Sequence, residues 1–264
     1  MSSVKTALTV AGSDPSGGAG IQADLKTFSR LRVYGMSVIT SITAQNTSAV
    51  AGIMEVPPEF VERQLDAVLS EIRVDAAKTG MLLTAGNIEV VTQKLREYEI
   101  RKLVVDPVMI STSGAALLNP DAIAALRRML LPLALVITPN THEAQMLTGK
   151  KIVNLEDMEE AALRIHETGA RSVLIKGGHM TGSDAIDVLF DGSDFTHLRR
   201  GRIRSGHIHG TGCVLSAAIT AELAAGKSLS EAVPAAKDFV TAAIAHAVTP
   251  GKATGICDPL ELEN

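Results

Sequence analysis

Residues 5–31 read KTALTVAGSDPSGGAGIQADLKTFSRL, and this stretch decides how the rest of the chain is parsed. Lys5 to Ala11 is a short apolar run that stops at Gly12, the pattern of a strand buried on both faces. The loop from Gly12 to Gly20 is made of Gly, Ser, Ala, one Asp and one Pro. Ile21, Leu25, Phe28 and Leu31 then recur at three- to four-residue spacing, which predicts an amphipathic helix. A strand, a glycine-rich loop and a helix in succession form the repeating unit of an α/β fold.

The unit recurs along the chain. Strands are expected at Met36–Ala44, Ala76–Leu82, Lys102–Met109, Ala134–Ile137 and Ser172–Lys176, with helices at Pro58–Ile72, Asn87–Glu97, Pro120–Leu130 and Glu156–Thr168. Ile186–Phe190 and Thr196–Ile203 read as an antiparallel hairpin around Asp191-Gly192. Two long helices, Thr211–Ala225 and Ser230–Val248, fill the C-terminal third. No repeat, linker or low-complexity segment interrupts the pattern, so residues 1–264 are expected to form a single domain. Repeated strand–helix units imply a mostly parallel sheet covered on both faces, with ligands beyond the carboxyl ends of the strands. Gly12, Gln45, Gly80, Asp106, Asn140 and Gly177 occupy those ends.

Composition narrows the function. The 264 residues carry 25 Lys+Arg and 29 Asp+Glu for a net charge of -4, and hydrophobic residues make up 46%. This is a globular balance with no basic run, which argues against nucleic acid or an anionic membrane as a partner. Arg199, Arg200, Arg202 and Arg204 cluster locally, as a solvated hairpin face does. With five Phe, two Tyr and no Trp there is little to stack bases on. Two cysteines, Cys213 and Cys257, make no disulfide framework and no zinc spacing. No segment has the apolar length of a signal peptide or a membrane span, so a cytoplasmic location is expected.

Familiar nucleotide motifs fail. Gly226-Lys227-Ser228 ends like a P-loop, but position 221 is Ala, and the Gly12–Gly20 loop lacks dinucleotide-fingerprint spacing. The most informative segment is His207-Ile208-His209-Gly210-Thr211-Gly212-Cys213, which runs straight into a helix. Its glycines let backbone N–H groups approach a ligand, and the helix aims its positive end at the same place, which suits a phosphate. Cys213 lies in that first turn, where the dipole favours the thiolate and is expected to lower its pKa. A glycine-rich turn followed by a small buried cysteine accounts for the spacing equally well. His207 and His209 fit structural or solvent-facing roles better than a metal pair.

Seven segments then occur in a telling order: AGSDPSGGAGIQADLK (11–26), ITAQNT (42–47), KTGML (78–82), DPVM (106–109) followed by Ser113-Gly114, TPNTHEA (138–144), KGGH (176–179) and GTGC (210–213). Together they resemble the hydroxymethylpyrimidine/phosphomethylpyrimidine kinase family of the ribokinase-like superfamily, from about residue 6 to residue 246. The resemblance implies a three-layer α/β/α sandwich and transfer of the ATP γ-phosphoryl group, with Mg²⁺, to a hydroxymethylpyrimidine and then to its monophosphate for thiamin biosynthesis.

Residue by residue, Gly210, Thr211 and Gly212 match the family's anion hole, and Cys213 the catalytic base, where most of the superfamily carries Asp. Lys176, Asn140 and Asp106 match nucleotide-side positions, and Glu143 completes an N-x-x-E that organises Mg²⁺ through water. Gly12, Asp24, Gln45, Met81 and Val108 fall where the family lines its pyrimidine pocket. Ile110–Gly114 matches a flap over the substrate, with Thr112 where some relatives carry Lys. Small-molecule substrates and a homodimer follow by analogy. A pyridoxal or pyridoxine kinase of the same branch is the nearest alternative. A thiol hydrolase using Cys213 with His209 as base, and a non-catalytic ligand-binding domain, are the more distant ones.

Overall fold

The computed structural model describes residues 4–110, 118–178, 180–203, 208–251 and 255–261. Arg204, His207 and most of the Ile110–Gly114 segment lie outside the described residues.

The opening unit forms as its pattern dictates, with β1 at Thr6–Ser13 and α1 at Gly20–Arg30. In chain order β2 (Tyr34–Gln45), β3 (Val50–Glu55), α2 (Pro58–Leu69), β4 (Ala76–Thr79), α3 (Ala85–Glu97), β5 (Leu103–Val105) and α4 (Pro120–Ala125) follow. Next come β6 (Val136–Ile137), α5 (Thr141–Thr148), α6 (Leu155–His166), β7 (Val173–Ile175), β8 (Asp184–Phe190) and β9 (Phe195–Gly201). The chain closes with β10 (Ile208–His209), α7 (Thr211–Ala224), α8 (Leu229–Ala245) and β11 (Gly255–Ile256).

Among the described residues nine strands make one sheet in the order β3-β2-β1-β4-β5-β6-β7-β8-β9. The six from β2 to β7 run parallel, while β3, β8 and β9 are antiparallel to their neighbours. The expected hairpin is β8–β9, with Phe190 paired to Phe195. The chain leaves β1 toward β2 and returns on the other side at β4. A crevice therefore opens beyond the carboxyl ends of β1 and β4, where doubly wound sheets bind ligands.

Successive strand residues point to opposite faces, and here they feed two separate cores. Leu103, Val105, Ile137, Val173 and Ile175 join side chains of α2 to α6, whereas Val104, Val136 and Leu174 join those of α1, α7 and α8. The result is the helix–sheet–helix sandwich of the ribokinase-like fold. Every residue of α7 from Val214 to Ala221 is buried, so this helix shows no amphipathic stripe, as expected of one enclosed on all sides. Its many alanines let α1 and α8 pack close.

Three departures from the sequence reading have local causes. Strand β3 is exposed along most of its length, so it shows no in–out alternation to read. The segment 126–130 widens into a π-helix before Pro132. Helix α5 is short and was hidden inside a motif read for its chemistry.

Candidate active site

Gly210 caps α7 at φ 87°, a left-handed conformation that glycine adopts without penalty. A side chain there would also collide with the backbone carbonyl of Gly18. The loop after β1 and the loop before α7 are thus locked together without a side chain between them. Strand β10 pairs with β11, and Cys257 donates its backbone N–H to His209 O at 3.0 Å. Lys26 of α1 bonds Asp258 at 3.0 Å and so ties the C-terminal segment to the same place.

Asp14 organises this junction. Its Oδ1 accepts bonds from Ser16 N at 2.9 Å and Ser16 Oγ at 2.7 Å, and its Oδ2 accepts one from Ala19 N at 2.9 Å. His209 Nε2 lies 3.0 Å from the same Oδ2 and 3.2 Å from the amide nitrogen of Gln45. Burial works against the charged carboxylate, but the bonds from His209 and Ser16 together hold its pKa below the ordinary value. Gln45, Met81 and Val108 are half-buried at this end of the sheet. Gly12 is buried, and a Cβ on it would meet Met81 Cε at 2.5 Å and Ser41 Oγ at 2.7 Å, so position 12 admits only glycine without rearrangement.

Lys176 follows β7, and its Nζ bonds Asp106 Oδ1 at 2.9 Å. Thr138 Oγ1 donates to the same oxygen at 3.2 Å, and Ser216 Oγ of α7 donates to Oδ2 at 3.2 Å. The Cβ direction of Gly212 points to Lys176 Nζ at 3.2 Å, so the cation stands beside the first turn of α7. Burial works against the charge on Lys176. Asp106 and Glu143 outweigh it and keep the ammonium firmly charged.

Asn140 and Glu143 form a reciprocal capping box at the start of α5. Glu143 N donates to Asn140 Oδ1 at 2.9 Å, and Asn140 N donates to Glu143 Oε2 at 2.8 Å. The N-x-x-E read for magnesium is therefore also a helix start, because a short polar residue followed three positions later by Glu satisfies two backbone donors. Asn140 is in addition bridged to Lys176 across the sheet edge. Burial raises the Glu143 pKa to about 7, with Asp106 adding to the rise and Lys176 and backbone N–H groups opposing it.

Two expectations change in this structure. Asp24 does not line a pocket: it is fully buried, bonded to Lys78 Nζ at 2.7 Å and to Thr9 Oγ1 at 2.6 Å. Cys213 keeps partial solvent contact, but burial of its sulfur pushes the thiol up to about 12. Desolvation thus overrides the helix dipole expected to lower it. A resting thiolate nucleophile is not what this site provides, and His209 Nε2 is already engaged by the Asp14 carboxylate. Sequence reasoning passed over Lys78 and Asp14, although each sat inside a quoted motif. A lysine within the apolar strand Ala76–Thr79 was the signal available.

A glycine-capped helix start with the Lys176–Asp106 pair beside its first turn, on a ribokinase-like sandwich, defines a phosphotransferase of that superfamily. The family described as phosphomethylpyrimidine kinase matches residues 14–258, and the chain belongs to it. A hydroxymethylpyrimidine/phosphomethylpyrimidine kinase of Rhizobium meliloti is 54% identical over 242 residues, covering 91% of each chain. The thiamine biosynthesis bifunctional protein ThiED of Geobacter sulfurreducens is 52% identical over 248 residues, and the chain spans 51% of that longer relative. The ADP complex of Bacillus subtilis pyridoxal kinase superimposes with a TM-score of 0.89 at 43% identity, covering 96% of both chains.

Proposed function

We propose that this chain moves the γ-phosphoryl group of ATP onto the hydroxymethyl oxygen of 4-amino-5-hydroxymethyl-2-methylpyrimidine, and then onto the resulting monophosphate. The observation that carries the reading is the convergence of Lys176, Asp106 and the first turn of α7 in a chain of this family. Phosphoryl transfer asks for positioning and for positive charge around the transferred oxygens. The first-turn N–H groups of Gly210, Thr211 and Gly212 supply preorganised donors, and Lys176 adds a fixed cation.

Mg²⁺ fits only in company with the nucleotide. Among the described residues no group of three or more His, Cys, Asp or Glu side chains is placed to hold a metal ion. Glu143 already accepts backbone N–H bonds from Asn140 and Met109. Asp106 and Glu143 would therefore meet a phosphate-bound ion through its waters, and the ion would neutralise phosphate charge.

On the acceptor side, Gln45 offers an amide whose carbonyl and NH₂ complement the amino group and ring nitrogen of an aminopyrimidine. Thr43 Oγ1 lies 3.3 Å from that carbonyl, and the His209 ring stands beside the NH₂. Cys213 stands where this branch carries its base. A group of that kind is worth roughly 10²- to 10⁴-fold in turnover, so Cys213→Ala should lose about that factor with little change in ATP affinity. The reading takes the whole chain as one catalytic domain, a cytoplasmic homodimer. Sedimentation velocity and cell fractionation check those last two points. Among the described residues no helix is long and apolar enough to cross a membrane.

The decisive experiment is ADP release from ATP and Mg²⁺ with the hydroxymethylpyrimidine, with pyridoxal, and with no acceptor. Release with the pyrimidine well above the blank is the expected result. Release only with pyridoxal, or with neither, would overturn the reading.

A further inference from the structure

Among the described residues, three lysine–aspartate pairs lie largely out of solvent on the sheet face that carries α1, α7 and α8. They are Lys78–Asp24, Lys176–Asp106 and Lys237–Asp187. Asp187 of β8 is 2% exposed and Lys237 of α8 is 6% exposed, and Lys237 Nζ donates to Asp187 Oδ2 at 2.7 Å. The other carboxylate oxygen, Oδ1, accepts the backbone N–H of the buried Gly177 at 2.9 Å. A buried ion pair is a poor source of stability, since apolar residues of equal volume commonly do as well or better. The place of this pair supplies another reason for it, because the sheet register brings Asp187 beside Lys176. Strands β7 and β8 pair Leu174 with Leu189 and Ile175 with Val188. One step further sets Lys176 opposite Asp187 and Gly177 opposite Ile186, and a Cβ on Gly177 would strike the Ile186 carbonyl. Leu174 and Leu189 both belong to the core under α7 and α8. Positions 176 and 187, two along each strand, therefore face the same way.

We propose that Lys237 is a positioning residue for the nucleotide: by occupying Asp187 it keeps Lys176 on Asp106 and beside the first turn of α7. The inference rests on the phosphate role given to Lys176 above. Gly177 N is joined through one carbonyl carbon to Lys176 Cα, which places Asp187 Oδ1 within about 6 Å of that Cα. The flexible four-carbon stem of a lysine can cover that distance. Lys176 thus stands between two carboxylates, and it bonds Asp106, at 2.9 Å. Asp187 earns its own place by accepting the Gly177 N–H, so the competing anion comes with the turn that ends β7. Without Lys237 it would be an uncompensated buried charge with Lys176 as its cross-strand neighbour. A new pair between them would draw the ammonium away from the α7 turn. Removing the charge of Asp187 instead leaves Lys176 with no second anion to choose. A purely structural pair would give the two variants the same effect on nucleotide binding.

The test is binding of ADP with Mg²⁺ to the full chain, by titration calorimetry and with no acceptor present. Lys237→Met should bind ADP about tenfold more weakly than the parent, the worth of one hydrogen bond to a charged group. Asp187→Asn keeps an oxygen for Gly177 and removes the competing charge, so it should bind ADP as tightly as the parent. Asp187→Asn/Lys237→Met carries neither charge and should recover the parent's affinity. Both single variants should melt lower, since a buried pair is broken from one end in each, and only ADP affinity tells them apart. An unchanged affinity for Lys237→Met, an equal loss for Asp187→Asn, or a double variant as weak as Lys237→Met would overturn the proposal. If Lys237→Met does not fold, Lys237→Gln keeps a donor for Asp187, loses the charge and should shift ADP affinity in the same direction. No phosphoryl group moves in this assay. A parent that binds ADP and phosphorylates no acceptor would sink the kinase reading and leave this result standing.

Discussion

Replacing Lys176 with Met would remove the cation from a site that keeps its anion. The side chain of Asp106 is 2% exposed and that of Lys176 14%, so the pair is shielded from bulk water on the carboxylate side. Breaking a buried pair from one end costs about 3–5 kcal/mol, because the remaining charge is left uncompensated. Asp106 would still receive hydroxyl bonds from Thr138 and Ser216, which places the loss near the lower limit, about 3 kcal/mol. For a chain of this size that is a fall in Tm of roughly 6–12 °C. The double variant Lys176→Met/Asp106→Asn has no unpaired charge and should recover most of the loss. Urea denaturation and thermal melts of the four proteins in the cycle give the coupling directly. Kinetically, Lys176→Met should raise the ATP KM and lower kcat together, since phosphate is held in ground and transition states alike. A single variant as stable as the parent, or a double variant no better than the single, would refute the electrostatic account of this centre.

Gly210→Ala forces a left-handed residue, at about 1–2 kcal/mol, and drives a methyl into the Gly18 carbonyl. It should lower Tm and abolish ADP release, whereas Gly178→Ala, with open space around it, should leave Tm unchanged. Glu143 has its folded pKa raised to about 7 from 4.5, so its contribution to stability is full below pH 4.5 and lost as pH rises through 7. Glu143→Gln keeps the capping geometry and removes the titration, gaining up to roughly 3 kcal/mol over the parent at pH 8 relative to pH 4.5. Parallel urea-stability curves for the two proteins across that range would refute it. Gln45→Leu leaves the pyrimidine edge unmet and should weaken hydroxymethylpyrimidine binding roughly 5- to 150-fold, from about 1–3 kcal/mol, with the ATP KM unchanged. Equal losses for pyrimidine and pyridoxal would mean that Gln45 supports its loop instead.

The parallel sheet and both helix layers were legible because β5 and β7 are apolar throughout, β1 is mostly so, and α1, α2 and α6 carry clean stripes. The convergence of GTGC with Lys176 and Asp106 was legible only as motifs, since nothing local says that residues 106, 176 and 212 meet. What failed to show is what tertiary burial decides. Asp24 looks like a surface charge until Lys78 is found opposite it, 54 residues away. The state of Cys213 likewise follows from what is packed around it and not from its place on a helix. Strands β10 and β11, two residues each, are too short for any pattern to register.

The junction between the loop after β1 and the last strand has a consequence for how the protein is born. Asp14 waits for His209, 195 residues later, and Lys26 waits for Asp258, 232 residues later. A ribosome adding some 5–20 residues per second needs roughly ten seconds or more to cover that distance. For all of that time the first loop exists without the segment that shapes it, and its Asp14 carboxylate faces water. The nascent chain can fold its central strands but cannot own a substrate pocket until almost the whole polypeptide has emerged. Catalytic competence should thus arrive in a single late step, so that ribosome-bound chains arrested before residue 209 carry a folded sheet and no activity.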